Sequence, residues 1–182
     1  VWQRDYEKAE ALYQELLAQD PQNPKQTLAL AEIFSRLGKI DEAQRLIHAV
    51  LEKDPQDLDA KTLLARSYAA NKDFKKSITL FHEVLNKKYD RKIQAQLGDV
   101  LSWSGNYREA LKVYDGLLAE KEDKAFRLQK ARILGWAREY SKAQREYQKI
   151  LTLKYDELVE QEMKAKQFYW DNRVKHALSA YE

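Results

Sequence analysis

The three histidines are the only side chains of this sequence that ordinarily exchange protons near neutral pH. His48 and His82 stand at equivalent places in two similar segments, but no His-x-x-x-His spacing or acidic third ligand accompanies them. We interpret them as surface side chains inherited from a duplicated segment; the alternative is a weak metal site between them. The chain has no cysteine, which excludes disulfides, thiolate metal sites and cysteine nucleophiles.

The carboxylates and glycines form no recognisable catalytic motif. A carboxylate that acts as an acid or base needs a desolvated pocket, and helical repeats leave most of their carboxylates in water. Gly98 and Gly105 are not followed by Lys-Ser or Lys-Thr, so they do not form a phosphate-binding loop. We therefore predict a protein that is not an enzyme and that uses no cofactor and no metal.

The charged residues nearly cancel. There are 32 basic and 29 acidic side chains, and the formal charge of +3 is spread without a long run of one sign. A nucleic-acid-binding protein concentrates Lys and Arg on one face, so nucleic acid is not an expected partner. No apolar stretch approaches the ~18 to 20 residues of a membrane-spanning helix, so no transmembrane segment is expected.

These residues belong to segments that repeat every 33 or 34 positions. The sequence of residues 106–111, Asn-Tyr-Arg-Glu-Ala-Leu, is echoed by Glu-Tyr-Ser-Lys-Ala-Gln at 139–144. Related segments begin at Asp5, Lys39, Asp73 and Arg173. A repeat of this length is typical of stacked helix-turn-helix units, so we predict an all-α chain of about eleven helices.

Small and large apolar residues alternate within the period in the way that closely packed helices require. One series of small residues is Ala31, Ala65, Gly98, Ala131 and Ala165; the other is Ala9, Ala43, Ser77, Ala110, Ala143 and Ala177. The predicted core consists of Tyr13, Ile47, Phe81, Tyr114, Tyr147 and Tyr181, with Leu16, Val50, Val84, Leu117 and Ile150.

The pattern resembles the tetratricopeptide repeat, which often places Pro at the end of its second helix. Pro21 and Pro55 occupy this place in the first two units, while Tyr89, Glu122 and Tyr155 replace it later. The resemblance implies a right-handed α-solenoid of tandem helix-turn-helix repeats. Its units are 1–23 (partial), 24–57, 58–90, 91–123, 124–157 and 158–182 (partial), so residues 1–182 are interpreted as one array cut from a longer one.

The turns between the two helices of a unit carry residues that accept a left-handed backbone. Leu37-Gly38, Ser104-Gly105 and Asp171-Asn172 each place Gly or Asn where a helix is expected to end.

All four tryptophans share one position of the period, late in the first helix of a unit: Trp2, Trp103, Trp136 and Trp170. In tetratricopeptide repeats this position and several before it line the concave groove in which ligands lie. The resemblance therefore implies a ligand-binding groove that includes Arg36, Arg66, Asp99, Trp103, Arg132, Trp136, Lys166, Tyr169 and Trp170. The alternative is that each tryptophan only packs the seam between consecutive units.

A finer resemblance concerns units four and five. A sequence motif of bacterial periplasmic repeat domains of exopolysaccharide export systems is similar to two segments here: Leu101-Ser102-Trp103-Ser104-Gly105-Asn106-Tyr107 and its counterpart at 134–140. It implies a periplasmic or outer-membrane-associated protein rather than a cytoplasmic one. Two functions stay open: a scaffold that binds a protein or peptide in the groove, as part of a larger bacterial protein or complex, or a module that contacts polysaccharide.

Overall fold

The computed structural model describes residues 2–20, 22–153, 161–167 and 169–170, and this part of the chain is helical without any strand. Its bounded helices are α1 (Trp2–Gln19), α2 (Pro24–Arg36), α3 (Ile40–Lys53), α4 (Leu58–Ala70), α5 (Phe74–Lys87), α6 (Arg91–Trp103), α7 (Tyr107–Glu120), α8 (Lys124–Trp136) and α9 (Tyr140–Leu153). Residues 161–167 and 169–170 are also helical. The all-α class of tandem helix-turn-helix repeats is confirmed, and the remaining expected helix falls outside the described residues.

The chain divides into two compact units, Val1–Val100 and Leu101–Glu182, which we call unit 1 and unit 2. Within unit 1, α2 packs on α3, α4 packs on α5, and α1 and α3 contact the helices that follow them. Within unit 2, α8 packs on both α7 and α9. The boundaries of the individual repeats stay a prediction.

Side chains of loop residues set the beginnings of several helices. Asn23 Oδ1 accepts a hydrogen bond from the amide of Gln26 at 3.2 Å, and Asp57 Oδ1 accepts one from the amide of Ala60 at 2.8 Å. Asp123 Oδ1 accepts hydrogen bonds from the first amides of α8. Each cap pairs a backbone donor that the helix itself leaves without a partner.

The predicted core is confirmed in the interior repeats of both units. The small residues Ala31, Ala43, Ala65, Ser77, Ala110, Ala131 and Ala143 have no exposed surface. Beside them lie the large side chains Ile47, Phe81, Tyr114, Tyr147, Val84, Leu117 and Ile150, all but fully buried. The small side chains let neighbouring helices approach closely, and the large ones fill the remaining space.

The prediction differs from the structure at the two ends of the described region. The period predicts that Trp2 ends a separate first helix, but Trp2 begins α1, which runs without a turn to Gln19. The period also predicts that Leu16 is in the core, yet it is 40% exposed, because no helix precedes α1 within the described residues. Ala165 is exposed as well. The segment that should pack on it, from Arg173 through Ala177 and Tyr181, lies outside the described residues.

The helix-ending turns follow one hydrogen-bond scheme in four places. At the first, the amide of Gly38 donates to Ser35 O and that of Lys39 donates to Phe34 O, at 3.2 and 2.9 Å. This scheme requires a left-handed residue, and Gly38 and Gly105 supply it with φ of 78° and 84°. Lys72 and Arg138 occupy the same place with φ of 61° and 63°, although neither is glycine. The turn predicted at Asp171-Asn172 lies outside the described residues.

Candidate binding pocket

Unit 2 contains an open pocket of about 420 Å³, which we call the aromatic pocket. Its described lining residues are Tyr107, Arg132, Gly135, Trp136, Arg138, Tyr140, Lys166, Tyr169 and Trp170. Five of the predicted groove residues are therefore brought together: Arg132, Trp136, Lys166, Tyr169 and Trp170. The volume is within the range of pockets that hold small ligands or the side chains of a peptide.

Two large aromatic rings of the aromatic pocket face solvent. Trp136 at the end of α8 is 47% exposed, and Tyr169 is 56% exposed. The indole of Trp136 makes no ring contact with any other described residue. Exposed aromatic rings beside cationic side chains are the groups that most often carry binding energy at protein interfaces.

Trp170 has a different role, although it occupies the same position of the period as Trp136. It is only 5% exposed, and its ring stacks on Tyr140 with centroids 4.9 Å apart and an angle of 23° between the planes. A Cβ placed on Gly135 would lie 2.9 Å from Cζ2 of Trp170, so the glycine makes room for the ring. Trp170 is therefore a packing residue between helices.

Arg132 and Lys166 both pair with one carboxylate, that of Glu162, which compensates one of their two positive charges. Arg132 Nε and Nη2 donate to the two oxygens of Glu162 at 2.9 and 2.8 Å, and Lys166 Nζ donates to Oε1 at 2.7 Å. Tyr147 Oη also donates to Glu162 Oε1, at 3.0 Å. The hydrogen bonds from Arg132 outweigh the effect of burial and lower the pKa of Glu162 to about 2. Burial and the nearby carboxylate raise the pKa of Tyr147.

Arg138 was not predicted as a site residue, yet it lines the aromatic pocket. It is exposed, and its guanidinium makes no ion pair with any described residue. Its backbone is left-handed, which ordinary side chains disfavour. A signal was available in the sequence, since Arg138 aligns with Gly38 and Gly105 in the period and breaks the glycine pattern there.

The other predicted groove residues lie outside the aromatic pocket. In unit 1, Glu32 accepts from Arg36 at 2.9 Å and from Arg66 at 3.4 Å, so these two guanidiniums share one carboxylate. The guanidinium of Arg36 also lies 5.8 Å from the ring centroid of Tyr6. Asp99 lies in α6 and is half-buried, and Trp103 at the end of α6 is 54% exposed.

A second polar cluster in unit 2 surrounds the buried side chain of Glu146 in α9. Arg127 and Lys130 from α8 and Lys149 from α9 all donate to its carboxylate. Burial alone would raise the pKa of Glu146, but these cations lower it below its usual value. The cluster joins α8 to α9, and sequence reasoning missed it because each residue looks like an ordinary surface charge.

The described residues provide neither a membrane-spanning helix nor a metal site. They contain no helix whose length and apolar character would suit a membrane. No three or more of their His, Asp and Glu side chains are grouped so that they could hold a metal ion.

Comparisons with known proteins agree with the helical repeats. Tetratricopeptide repeat protein 21A of Mus musculus is 30% identical over 108 residues, which is 59% of this chain and 8% of that protein. Tetratricopeptide repeat protein 21B of Xenopus laevis is 30% identical over 107 residues, again 8% of its length. This chain thus spans only a small part of these relatives.

Solved structures show the same fold at low sequence identity. A tetratricopeptide repeat protein from Parabacteroides merdae has a TM-score of 0.77 and 18% identity, covering 96% of this chain and 70% of that one. A thermophilic tetratricopeptide repeat protein of Thermus thermophilus has a TM-score of 0.71 and 18% identity, covering 90% and 91%. The predicted α-solenoid class is thereby confirmed.

The family profile described as tetratricopeptide repeat matches residues 3–66 and, overlapping them, residues 38–100. Together the two matches span more than half of the 182 residues. The resemblance inferred from the 33- to 34-residue period is confirmed, and the chain belongs to the tetratricopeptide repeat family.

Proposed function

We propose that this protein is a non-enzymatic scaffold that binds a partner protein through the aromatic pocket of unit 2, as a segment of a larger protein or complex. The observation that carries the proposal is the exposure of Trp136 and Tyr169 beside the cations of the aromatic pocket. Burying such rings in a partner removes apolar surface from water, and each contributes binding energy for little loss of side-chain entropy.

The family supports the general class of function. Tetratricopeptide repeats generally act as protein-binding scaffolds without catalytic activity, and this chain belongs to that family. The predicted groove residues outside the aromatic pocket are proposed unit by unit: Trp103 as a further binding residue of unit 2, and Arg36, Arg66 and Asp99 as a separate groove surface of unit 1. The alternative remains a module that contacts polysaccharide in a bacterial envelope, since exposed aromatic rings also stack on sugar rings.

The proposal is tested with the whole 182-residue chain and a displayed library of random peptides. Peptides selected on the wild-type protein are synthesised, and their affinities are measured by isothermal titration calorimetry. We expect Trp136→Ala to weaken their binding by about tenfold or more, since a central aromatic residue of an interface typically contributes that much.

The matched control is Tyr89→Ala, which removes an aromatic ring of similar exposure from unit 1. It should leave affinity within about twofold, as substitutions outside an interface do. Trp103→Ala then asks whether the surface extends beyond the aromatic pocket. Selected peptides that bind Trp136→Ala as well as the wild type would refute the proposal, and so would binding of neutral oligosaccharides in place of peptides.

A further inference from the structure

We propose that the aromatic pocket selects an acidic segment of its partner protein, and that Arg138 is the residue that determines this preference. The inference rests on the proposed function, because it names the chemistry of the ligand that the same pocket binds. It begins with the balance of charge in the aromatic pocket.

Three cationic side chains line the aromatic pocket, and no carboxylate is among its described lining residues. Arg132 and Lys166 are both engaged with Glu162, which compensates one of their two charges. Arg138 has no such partner among the described residues. An anionic group that enters the aromatic pocket therefore meets a guanidinium whose hydrogen-bond donors are available, whereas a cationic ligand is repelled.

The shape of a guanidinium favours a carboxylate as its partner. Arginine offers two parallel N–H donors that match the two oxygens of Asp or Glu, and such charge-assisted pairs are stronger than neutral hydrogen bonds. Trp136 stands two residues before Arg138 and presents an exposed ring. The ligand that fits both features has an Asp or Glu side chain next to an aromatic or large apolar one.

The backbone of Arg138 supports a role beyond that of a turn residue. The same turn is made by Gly38 and Gly105, which adopt a positive φ without steric cost. An arginine at φ of 63° carries strain that glycine would remove. Residues held in a disfavoured conformation are found preferentially where their side chains serve a function.

Lys72 supplies the internal comparison. It occupies the same turn position in unit 1, has nearly the same φ, and does not line the aromatic pocket. Strain alone therefore does not identify a binding residue. What distinguishes Arg138 is the placement of its charge beside exposed aromatic rings.

A protein segment fits these observations better than a polyanion does. Binding of a polyanion relies on many cations that neutralise its successive charges. In unit 1 the predicted groove cations Arg36 and Arg66 share Glu32, and in unit 2 Arg132 and Lys166 share Glu162. One available guanidinium beside aromatic rings suits a short acidic and aromatic sequence.

The test uses the whole chain and three short fluorescein-labelled peptides: one with two glutamates flanking a tryptophan, one with glutamines in their place and one with lysines. Binding is followed by fluorescence anisotropy for the wild type, Arg138→Gly, Lys72→Gly and Trp136→Ala. Both glycine variants relieve strain and should melt at or above the wild-type temperature, so misfolding cannot explain a loss of binding.

We expect the wild type to bind the glutamate peptide about tenfold more tightly than the glutamine peptide, in line with one charge-assisted hydrogen bond. Arg138→Gly should lose that difference, while Lys72→Gly should retain it. Trp136→Ala should weaken binding of both the glutamate peptide and the glutamine peptide.

Each other outcome has a distinct meaning. Suppose that Trp136→Ala weakens binding of the glutamate and glutamine peptides but Arg138→Gly changes the binding of neither. In that case the proposed function stands and the charge preference is wrong. The charge preference is also wrong if the wild type prefers the lysine peptide or binds none of the three. If the peptides bind Trp136→Ala as tightly as wild type, the proposed function itself fails. Binding of an oligouronate that depends on Arg138, without binding of the glutamate peptide, would overturn the inference in favour of polysaccharide.

Discussion

At the scale of single residues, Gly135 determines how the aromatic pocket is built. Its missing side chain lets the ring of Trp170 approach α8, and Trp170 in turn stacks on Tyr140 of α9. A methyl group at this position would meet the ring at 2.9 Å, closer than side-chain carbon atoms normally approach. The glycine therefore couples the helical packing of unit 2 to one wall of the aromatic pocket.

Gly135→Ala is expected to destabilise the protein by about 1 to 2 kcal/mol, since the gain in helix propensity is smaller than the strain of moving a packed ring. Gly116→Ala is the matched control within α7, because nothing lies within 4 Å of its added Cβ. It should stabilise the protein by about 0.5 to 1 kcal/mol. Urea unfolding followed by circular dichroism measures both, and a stabilising effect of Gly135→Ala would show that Trp170 does not need the space.

The residue scale also shows where sequence reasoning reached its limit. The period identified the position shared by Trp103, Trp136 and Trp170, but periodicity cannot decide which of these rings is covered. The burial of each ring depends on what packs against it. Gly135 leaves room for the ring of Trp170, which is 5% exposed, whereas Trp136 is 47% exposed. Arg138 was missed because arginine is common on surfaces, and its left-handed backbone is visible only in the structure.

At the scale of helices, the ionic contacts of Glu162 join α8 to the helical residues that follow α9. Arg132 belongs to α8, while Glu162 and Lys166 belong to residues 161–167. A carboxylate that forms such contacts stabilises the folded state only while it is ionised. The pKa of Glu162 in the folded protein, about 2, is below its ordinary value of 4.5.

The lowered pKa gives a specific dependence on pH. The stabilisation from Glu162 is complete above pH 4.5 and is lost as the pH falls towards 2, because the unfolded chain takes up the proton first. Glu162→Gln should therefore destabilise the protein by about 1 to 3 kcal/mol at pH 7. The difference from wild type should shrink steadily below pH 4.5 in urea unfolding experiments.

The control for this variant is Glu109→Gln, which changes an exposed carboxylate of α7 that makes no ion pair with any described residue. It should alter stability by less than about 0.5 kcal/mol, as surface substitutions usually do. A deficit of Glu162→Gln that stayed constant from neutral pH to the lowest accessible pH would contradict the assigned contacts.

The helices themselves were predictable because their signal is repeated. Ala43, Ser77, Ala110 and Ala143 mark one packing position, and each is fully buried as the period predicts. Leu16 shares its position in the period with the buried residues Val84 and Leu117 but is exposed, because burial depends on the neighbouring helix as well as on the residue. The cluster around Glu146 was not predictable, since charged side chains at helical spacing carry no information on which of them meet across helices.

At the scale of the whole molecule, some residues pack the repeats together and others are exposed and can contact a partner. The fully buried positions recur in both units and account for the fold. The aromatic rings of Trp136 and Tyr169 are about half exposed, whereas Trp170 is only 5% exposed. We therefore propose that Trp136 serves binding, whereas its counterpart Trp170 packs between helices.

The most direct test of this assignment measures two quantities for Trp136→Ala and Trp170→Ala: affinity for a peptide selected on the wild type, and free energy of unfolding. We predict that Trp136→Ala loses about tenfold or more in affinity while its stability falls by only about 1 kcal/mol, because about half of the ring is exposed. Trp170→Ala should lose about 3 kcal/mol of stability, as expected for a buried aromatic residue. A large loss of stability in Trp136→Ala with unchanged affinity would contradict the assignment and make this tryptophan a packing residue.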